Sequence, residues 1–310
     1  MIDLVRSQVR DVQLIDYLRQ HPKLEWVSNE DKFNRFDFEV VKTKHVRQFK
    51  GILFRFFDDR LDIIFKPHFY FNDDRHNAND FSMNSSITTI LEFQRTFQVD
   101  LQQFPVFGFE YGVNVISPLD VKDLITYAYA HDRNEFRNDA DLGFSKRSFS
   151  TDKRGKANTY KTVKFYAKGI QQVSHCHPDT VRFEIKSQSR KFIRQLDIVT
   201  MYDLTKPEVY AKLAESIIEE FDAMLILDGS ADTSRLSASD RFKLTNYQNT
   251  MTWYRILQQH RNAFSRNKKT YHDLLDKTGT HLKRQLSIAV QSKLYELTEA
   301  SVGEQVQIPI

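Results

Sequence analysis

The sequence predicts an α+β fold, a mixed or antiparallel sheet with helices on one face, followed by a helical C-terminal domain. Three observations predict it. Aromatic residues are abundant, with 25 Phe and 13 Tyr, which favours a β-containing core. Alternating and helical patterns follow one another as strands, helix, strand, helix, strands, the order of a mixed layer rather than a doubly wound sheet. From Lys206 onward, helical periodicity takes over.

The first 30 residues read as an irregular or helical lead-in. Three strands follow in residues 35–72, RFDFEVV, GILFRFF and LDIIFKPHFYF, with FFDDRLD as the hairpin bend between the last two. SSITTILEFQRTF (85–97) has helical spacing, placing Ile87, Ile90, Leu91 and Phe97 on one face. VFGFEYGVNV and the residues after it (106–117) alternate as a strand. LDVKDLITYAYAH (119–131) is then a helix opened by Pro118. Residues 139–158 show little periodicity beyond a short strand signal at LGFSKRSFS, and predict an exposed, mobile loop. Strands are expected over 160–168 and 180–186. EVYAKLAESIIEEFDAML (208–225) is an amphipathic helix behind Pro207. Residues 229–234 are small and polar and serve as a linker. The expected domains are therefore 1–228 and 229–310. In the second, Ser239 is the expected cap of a helix starting near Arg241, and Gly279 the expected helix breaker.

Bulk composition excludes several classes. No apolar run approaches the roughly 18 residues of a membrane helix, and the opening residues lack a secretory apolar core. Cys176 is the sole cysteine, so no internal disulfide forms, which fits a reducing cytoplasm. There is no P-loop, dinucleotide fingerprint or CxxC pair. The net charge is only +4, yet the basic residues cluster. Residues 144–170 carry eight Lys or Arg against Asp152 alone. Residues 253–285 carry eight more against Asp273 and Asp276. Such blocks form an electrostatic footprint for a polyanion, with ordinary solvated surface as the alternative.

The phase of three strands carries the chemistry. Phe107, Phe109, Tyr111, Val113 and Val115 share one side of their strand, and Gly108, Glu110, Gly112 and Asn114 the other. In TVKFYAK, Val163, Phe165 and Ala167 oppose Lys164, Tyr166 and Lys168. In TVRFEIK, Val181, Phe183 and Ile185 oppose Arg182, Glu184 and Lys186. If the apolar faces share a core, Glu110, Tyr166 and Glu184 meet on the open side. Two carboxylates and a phenol among cations are the parts of metal-assisted phosphodiester transfer, with oxygen ligands suited to Mg²⁺ or Mn²⁺. The glycines beside Glu110 leave room for a ligand or another backbone. A solvated outer face of an antiparallel sheet shows the same alternation.

In order, an opening MID, GILFRFF, the acid-bearing FGFEYGVNV, TVKFYAKG, TVRFEIKSQSRKFI and TMYDL resemble the replication initiator endonucleases of filamentous phages. More distantly they resemble the trans-acting rolling-circle initiators of plasmids. The resemblance covers roughly residues 1–205 and implies a palm like that of the HUH endonucleases. It implies a site-specific nickase that joins its tyrosine to the 5′ phosphate of origin DNA and leaves a 3′ hydroxyl. Tyr166 is then the nucleophile, Lys168 the lysine of the Y-x-K motif, and Glu110 and Glu184 the acids of the Mg²⁺ or Mn²⁺ site. Glu110 stands where the family pattern has aspartate. Tyr160 is a second tyrosine in the same phase. The implied partners are origin DNA and, in a bacterial host cytoplasm, a separate helicase and a polymerase.

DNA contacts are expected from Arg147, Lys153, Arg154, Lys156, Lys164 and Arg182. In the C-terminal domain Arg266, Lys268 and Lys269 are placed on phosphates by a helix-turn-helix-like reading; the alternative is an ordinary bundle with Trp253, Tyr254, Ile256 and Leu257 facing its core. His175-Cys176-His177 fits a His-hydrophobe-His chelate, although QQVSHCHPDT reads as a surface loop. Two other functions are compatible with the chain: an origin-binding protein that does not cut, and a phage structural or assembly protein.

Overall fold

In the computed structural model, the backbone is described for residues 1–33 and 40–299, and side chains for the same residues apart from 30–33 and 40–43. The chain opens inside the sheet. Ile2–Val9 forms strand β1, antiparallel to β5 (Leu61–Phe65) on one side and β6 (Val106–Ile116) on the other. The expected lead-in is thus corrected: residues 1–30 hold β1, a helix α1 (Val12–Arg19) capped by Asp11, and most of β2 (Glu25–Phe33). In IDLVRSQV, burial alternates after Asp3: Val5, Ser7 and Val9 are buried, and Leu4, Arg6 and Gln8 are half-buried.

β2 pairs with β3 (Val40–Phe49), and β3 with β4 (Ile52–Phe56). The expected strand at RFDFEVV falls largely on 34–39, outside the described residues. The hairpin from β4 to β5 turns at FFDDRLD as predicted, with Phe57 N–H donating to the Arg60 carbonyl at 2.8 Å. After Phe65 the strand pattern fails. Pro67–Phe71 is a short helix, α2, because proline suits the first helical position and lacks the N–H a ladder needs. Helix α3 (Met83–Phe97) follows, capped by Ser82, and packs Phe93 and Phe97 against Phe54 of β4.

The helix expected over 119–131 is cut in two. Asp120 caps α4 (Val121–Tyr127), and Ala128–His131 leaves it as β7. β7 pairs with β8 (Asn134–Glu135) and with β13 (Met224–Ile226), a partner remote in sequence that local propensity cannot anticipate. The short strand expected at LGFSKRSFS is present as β10 (Ser145–Thr151), but the loop expected around it over 139–158 is reduced to turns at 139–144 and 152–156. β10 and β11 (Ala157–Ala167) form a long hairpin, joined to the edge strand β9 (Arg137–Asn138) and to β12 (Thr180–Ser187). Its polar residues flank a sheet edge and need no buried face.

Among the described residues the main sheet has the order β2-β3-β4-β5-β1-β6-β12-β11-β10-β9. One face is the predicted apolar one: Phe109, Tyr111, Val113, Val163, Phe165, Val181, Phe183 and Ile185 are all buried. After two short helices, α5 (Lys168–Gln171) and α6 (Arg190–Gln195), helix α7 (Pro207–Ala223) lies on it. Phe221 meets the Phe183 ring edge-on, and Tyr111 Oη lies 2.7 Å from Ser216 Oγ.

The C-terminal helices are α8 (Ala238–Gln248), α9 (Thr250–Leu257), α10 (Arg261–Asp276) and α11 (Leu282–Thr298). Ser237, not Ser239, caps α8, and Gly279 breaks the chain between α10 and α11 at φ 78°. Packing does not divide at residue 228. A second core gathers Leu236, Leu244, Trp253, Phe264, Tyr271 and Leu275 with Ala130 and Leu225 from the β7–β13 pair. Helix α11 returns instead to the main core through Leu282, Leu286, Val290 and Leu294. Trp253 and Ile256 face the core as expected, whereas Tyr254 is exposed.

Candidate active site

Register decides which polar side chains meet. Across β11, β12 and β6, Tyr166 stands opposite Arg182 and Arg182 opposite Asn114. Lys164 stands opposite Glu184, and Lys186 opposite Glu110. Directly opposed residues in an antiparallel pair share a face, so alternation in the three strands, once paired, builds a compact array. The Tyr166 hydroxyl donates to Glu184 Oε2 at 3.1 Å. Lys164 Nζ donates to Glu184 Oε1 at 2.6 Å and to Glu110 Oε2 at 3.2 Å. Lys186 Nζ lies 2.5 Å from Glu110 Oε1. The structure therefore brings Glu110, Tyr166, Glu184 and Lys164 together.

It does not leave them open. Tyr166 is 7% exposed, Glu110 8% and Glu184 4%, which corrects the expected open face. Segment 72–82 and helix α2 cover part of it. Asn77 Oδ1 accepts from Lys168 Nζ at 2.5 Å, and the Ala78 carbonyl accepts from Asn114 Nδ2 at 2.9 Å. Lys168 is buried at the end of β11, its ammonium 5.8 Å from the Tyr166 ring centroid.

Asp3 is the residue that sequence reasoning missed. β1 bulges between Ile2 and Leu4, which face Tyr111 and Glu110 respectively, and Asp3 is the extra residue. A bulge re-aims a side chain, and here the carboxylate meets Arg182. The Asp3 Oδ2 atom accepts from Arg182 Nε at 3.1 Å and also from Nη2. Arg182 further donates to Asn114 Oδ1 at 2.6 Å and lies 3.5 Å from Glu184 Oε2. His68 Nδ1 is 3.7 Å from Asp3. Arg182, expected on DNA, is buried and committed to these partners. The alternation of IDLVRSQV could have located β1, but nothing local marks the bulge that places Asp3.

The electrostatics separate the two glutamates. Burial raises the Glu184 carboxyl above its usual range, more than Lys164 offsets, with Asp3 and Glu110 adding to the rise. Burial acts on Glu110 too, but Lys164 and Lys186 outweigh it and hold that carboxyl low. Glu184 is thus the more basic acid and the one bonded to the phenol. Burial, and then the Glu184 charge, push the Tyr166 phenol well above its ordinary value. Burial lowers the Lys168 ammonium to about 8, with Arg182 adding to the effect.

Glu110 and Glu184 offer the hard oxygen donors that Mg²⁺ or Mn²⁺ requires, and they flank one cation position. Lys164 Nζ holds that position, so the residues fit a divalent ion that competes with this ammonium. Among the described residues, His131, Asp132 and Glu220 bring ligand atoms within 4.8 Å of one another. Lys161 Nζ already lies 2.6 Å from Glu220 there.

The other expected residues are dispersed. Arg147 pairs with Asp139 at 2.5 Å. Lys153, Arg154 and Lys156 are exposed at the tip of the β10–β11 hairpin. Arg266 and Lys269 are exposed on α10. Lys268 instead donates to the Asp222 and Ala223 carbonyls at 2.8 and 3.0 Å, satisfying the C-terminal end of α7. Tyr160 lies apart from the acids, packed on Phe192 and bonded to Gln195 Oε1 at 2.9 Å. His175 and His177 lie in a turn, not on a strand. The His175 ring stacks on His76 with centroids 4.1 Å apart, and His177 sits 3.8 Å from Asp179. Gly112 serves a neighbouring backbone, since a Cβ there would fall 2.3 Å from the Phe183 carbonyl oxygen.

No family model matches the chain, and no curated protein sequence does. A solved structure similar to it is the rolling circle replication initiator protein from Geobacillus stearothermophilus. The similarity has a TM-score of 0.41 and 8% identity, over 83% of this chain and 94% of that one.

Proposed function

We propose that the chain is a replication initiator that nicks one strand of an origin through Tyr166. The observation that carries this reading is the hydroxyl of Tyr166 held 3.1 Å from Glu184 Oε2, the more basic of two acids joined through Lys164. In this reading the phenol oxygen attacks the phosphorus of a phosphodiester while Glu184 takes its proton. The bond from phosphorus to the 3′ oxygen breaks, and that oxygen leaves as a hydroxyl after accepting a proton from Lys168. The 5′ phosphate stays on Tyr166. Arg182, Lys164, Lys186 and Lys168 outnumber Asp3, Glu110 and Glu184, which favours a phosphate and the charge that builds on it. A Mg²⁺ or Mn²⁺ ion held by Glu110 and Glu184 would polarise the same phosphate. The hydroxyl left behind primes a polymerase, and strand separation falls to a host helicase.

The test is incubation of supercoiled origin plasmid with the protein and Mg²⁺ or Mn²⁺, followed by mass spectrometry of the DNA-linked peptide. An open circle and an adduct on Tyr166, both lost in Tyr166→Phe, support the reading. An adduct on another residue overturns it. A second reading, an initiator that binds the origin without cutting, is favoured by the burial of Tyr166 and its raised pKa. Origin binding with no open circle would establish it.

A further inference from the structure

A cavity of about 630 Å³ lies between α10 and the turn joining β7 to β8. One face of α10 lines it, with Arg261, Ser265, Lys268, Lys269 and His272 spaced by three, four or seven residues, and the turn supplies Arg133 and Asp132. Two of these cations are fixed. Arg133 Nη2 donates to the Leu257 and Gln259 carbonyls at 2.5 and 2.8 Å, and Lys268 holds the end of α7. Burial lowers the Lys268 ammonium, and the Asp132 and Asp222 carboxylates oppose that shift. Arg261 and Lys269 are exposed and make no side-chain hydrogen bond or ion pair.

The cations continue beyond the cavity. Ser148 Oγ donates to the Asn134 carbonyl at 3.0 Å, tying the turn to β10. That strand leads to Lys153, Arg154 and Lys156 at the hairpin tip, where Asp152 is occupied by the backbone N–H groups of Arg154 and Lys156. Arg137, on the edge strand β9, stacks on Phe149 at 4.6 Å.

We infer that this cavity is a phosphate-binding seat for the DNA backbone, with Arg261 and Lys269 as its free cations and the hairpin as its continuation. The inference rests on the reading that the chain acts on DNA, but not on cleavage. It replaces the trio Arg266, Lys268 and Lys269 expected from sequence, since Arg266 does not line the cavity and Lys268 is spent on α7. A cavity ringed by cations and facing one carboxylate binds phosphodiester oxygens whatever the base sequence. Single-stranded and duplex DNA share that chemistry.

The experiment is fluorescence anisotropy of the full chain with a labelled single strand and with its duplex, across a salt series. Arg261→Ser combined with Lys269→Ser is expected to weaken binding about tenfold or more. It should also flatten the slope of log affinity against log salt by roughly 1.4 to 1.8, the loss of two phosphate contacts. Loss with the single strand only, or with both forms, supports the seat and identifies its occupant. Unchanged affinity and slope with both forms overturn it. Tyr166→Phe serves as the separate arm: if it binds like the parent protein and neither protein nicks, cleavage fails while the seat stands.

Discussion

Tyr166 donates its phenolic proton to Glu184, and the same carboxylate accepts from Lys164, which reaches on to Glu110. The phenol is therefore bound to a base before any substrate arrives. Removing that base should cost more than removing an ordinary surface acid. Glu184→Gln is expected to lower the nicking rate by about 10²- to 10⁴-fold, the usual contribution of a general base. Tyr166→Phe should abolish the covalent adduct. Single-turnover assays on a labelled origin strand measure both. Glu184→Gln that nicks at the parental rate would remove Glu184 from the chemistry.

Lys164 holds the position between the two carboxylates that a divalent ion would take. Lys164→Gln should therefore tighten Mn²⁺ binding in calorimetry or electron paramagnetic resonance, and Glu110→Gln should weaken it. Equal affinity in all three proteins would place the ion elsewhere.

In the proposed reaction the rate depends on pH through Lys168. Its ammonium is lowered by burial to about 8, so its proton is lost from about pH 8 rather than near 10.5. The nicking rate is expected to fall above pH 8, and Lys168→Arg should move that fall upward. The stability effect has the opposite sign. Between pH 8 and 10.5 the unfolded chain holds the proton that the folded one has released, so the contribution of Lys168 to stability rises with pH there. Rate and thermal-melt profiles over pH 6 to 10 separate the two effects.

Asp3 and Arg182 form a fully buried ion pair. Removing one partner strands the other, so Asp3→Ala or Arg182→Met should destabilise by about 3–5 kcal/mol. Arg182 opposes the burial of Asp3 and holds its carboxyl far below the usual range. The stability that pair supplies is therefore present above the ordinary carboxylate pKa and is lost only in strong acid. Urea titration of the two single variants and the double variant measures the coupling. Additive losses would show that the pair contributes nothing as a pair.

Gly112→Ala tests the close approach of β6 and β12. Its Cβ would meet the Phe183 carbonyl, and a loss of about 1–3 kcal/mol is expected from the forced shift. A chain that melts at the parental temperature would show that the strands can part at no cost.

Side-chain alternation determined much of this protein by itself. Which residues of β6, β11 and β12 face the core, and that Glu110, Tyr166 and Glu184 share the other side, follow from a period of two, a local property of the chain. Helices α3 and α7 were legible from the 3.6-residue period, which is equally local. Tertiary structure alone decided what depends on distant partners. β1 is central because β5 and β6 pair with it, and Ala128–His131 is a strand because Met224–Ile226 lies alongside. The bulge that aims Asp3 at Arg182, the cover that buries Tyr166, and the return of α11 to the first core leave no local pattern. Each arises from contacts between segments tens to hundreds of residues apart, and the energy of such a contact is written in neither segment alone.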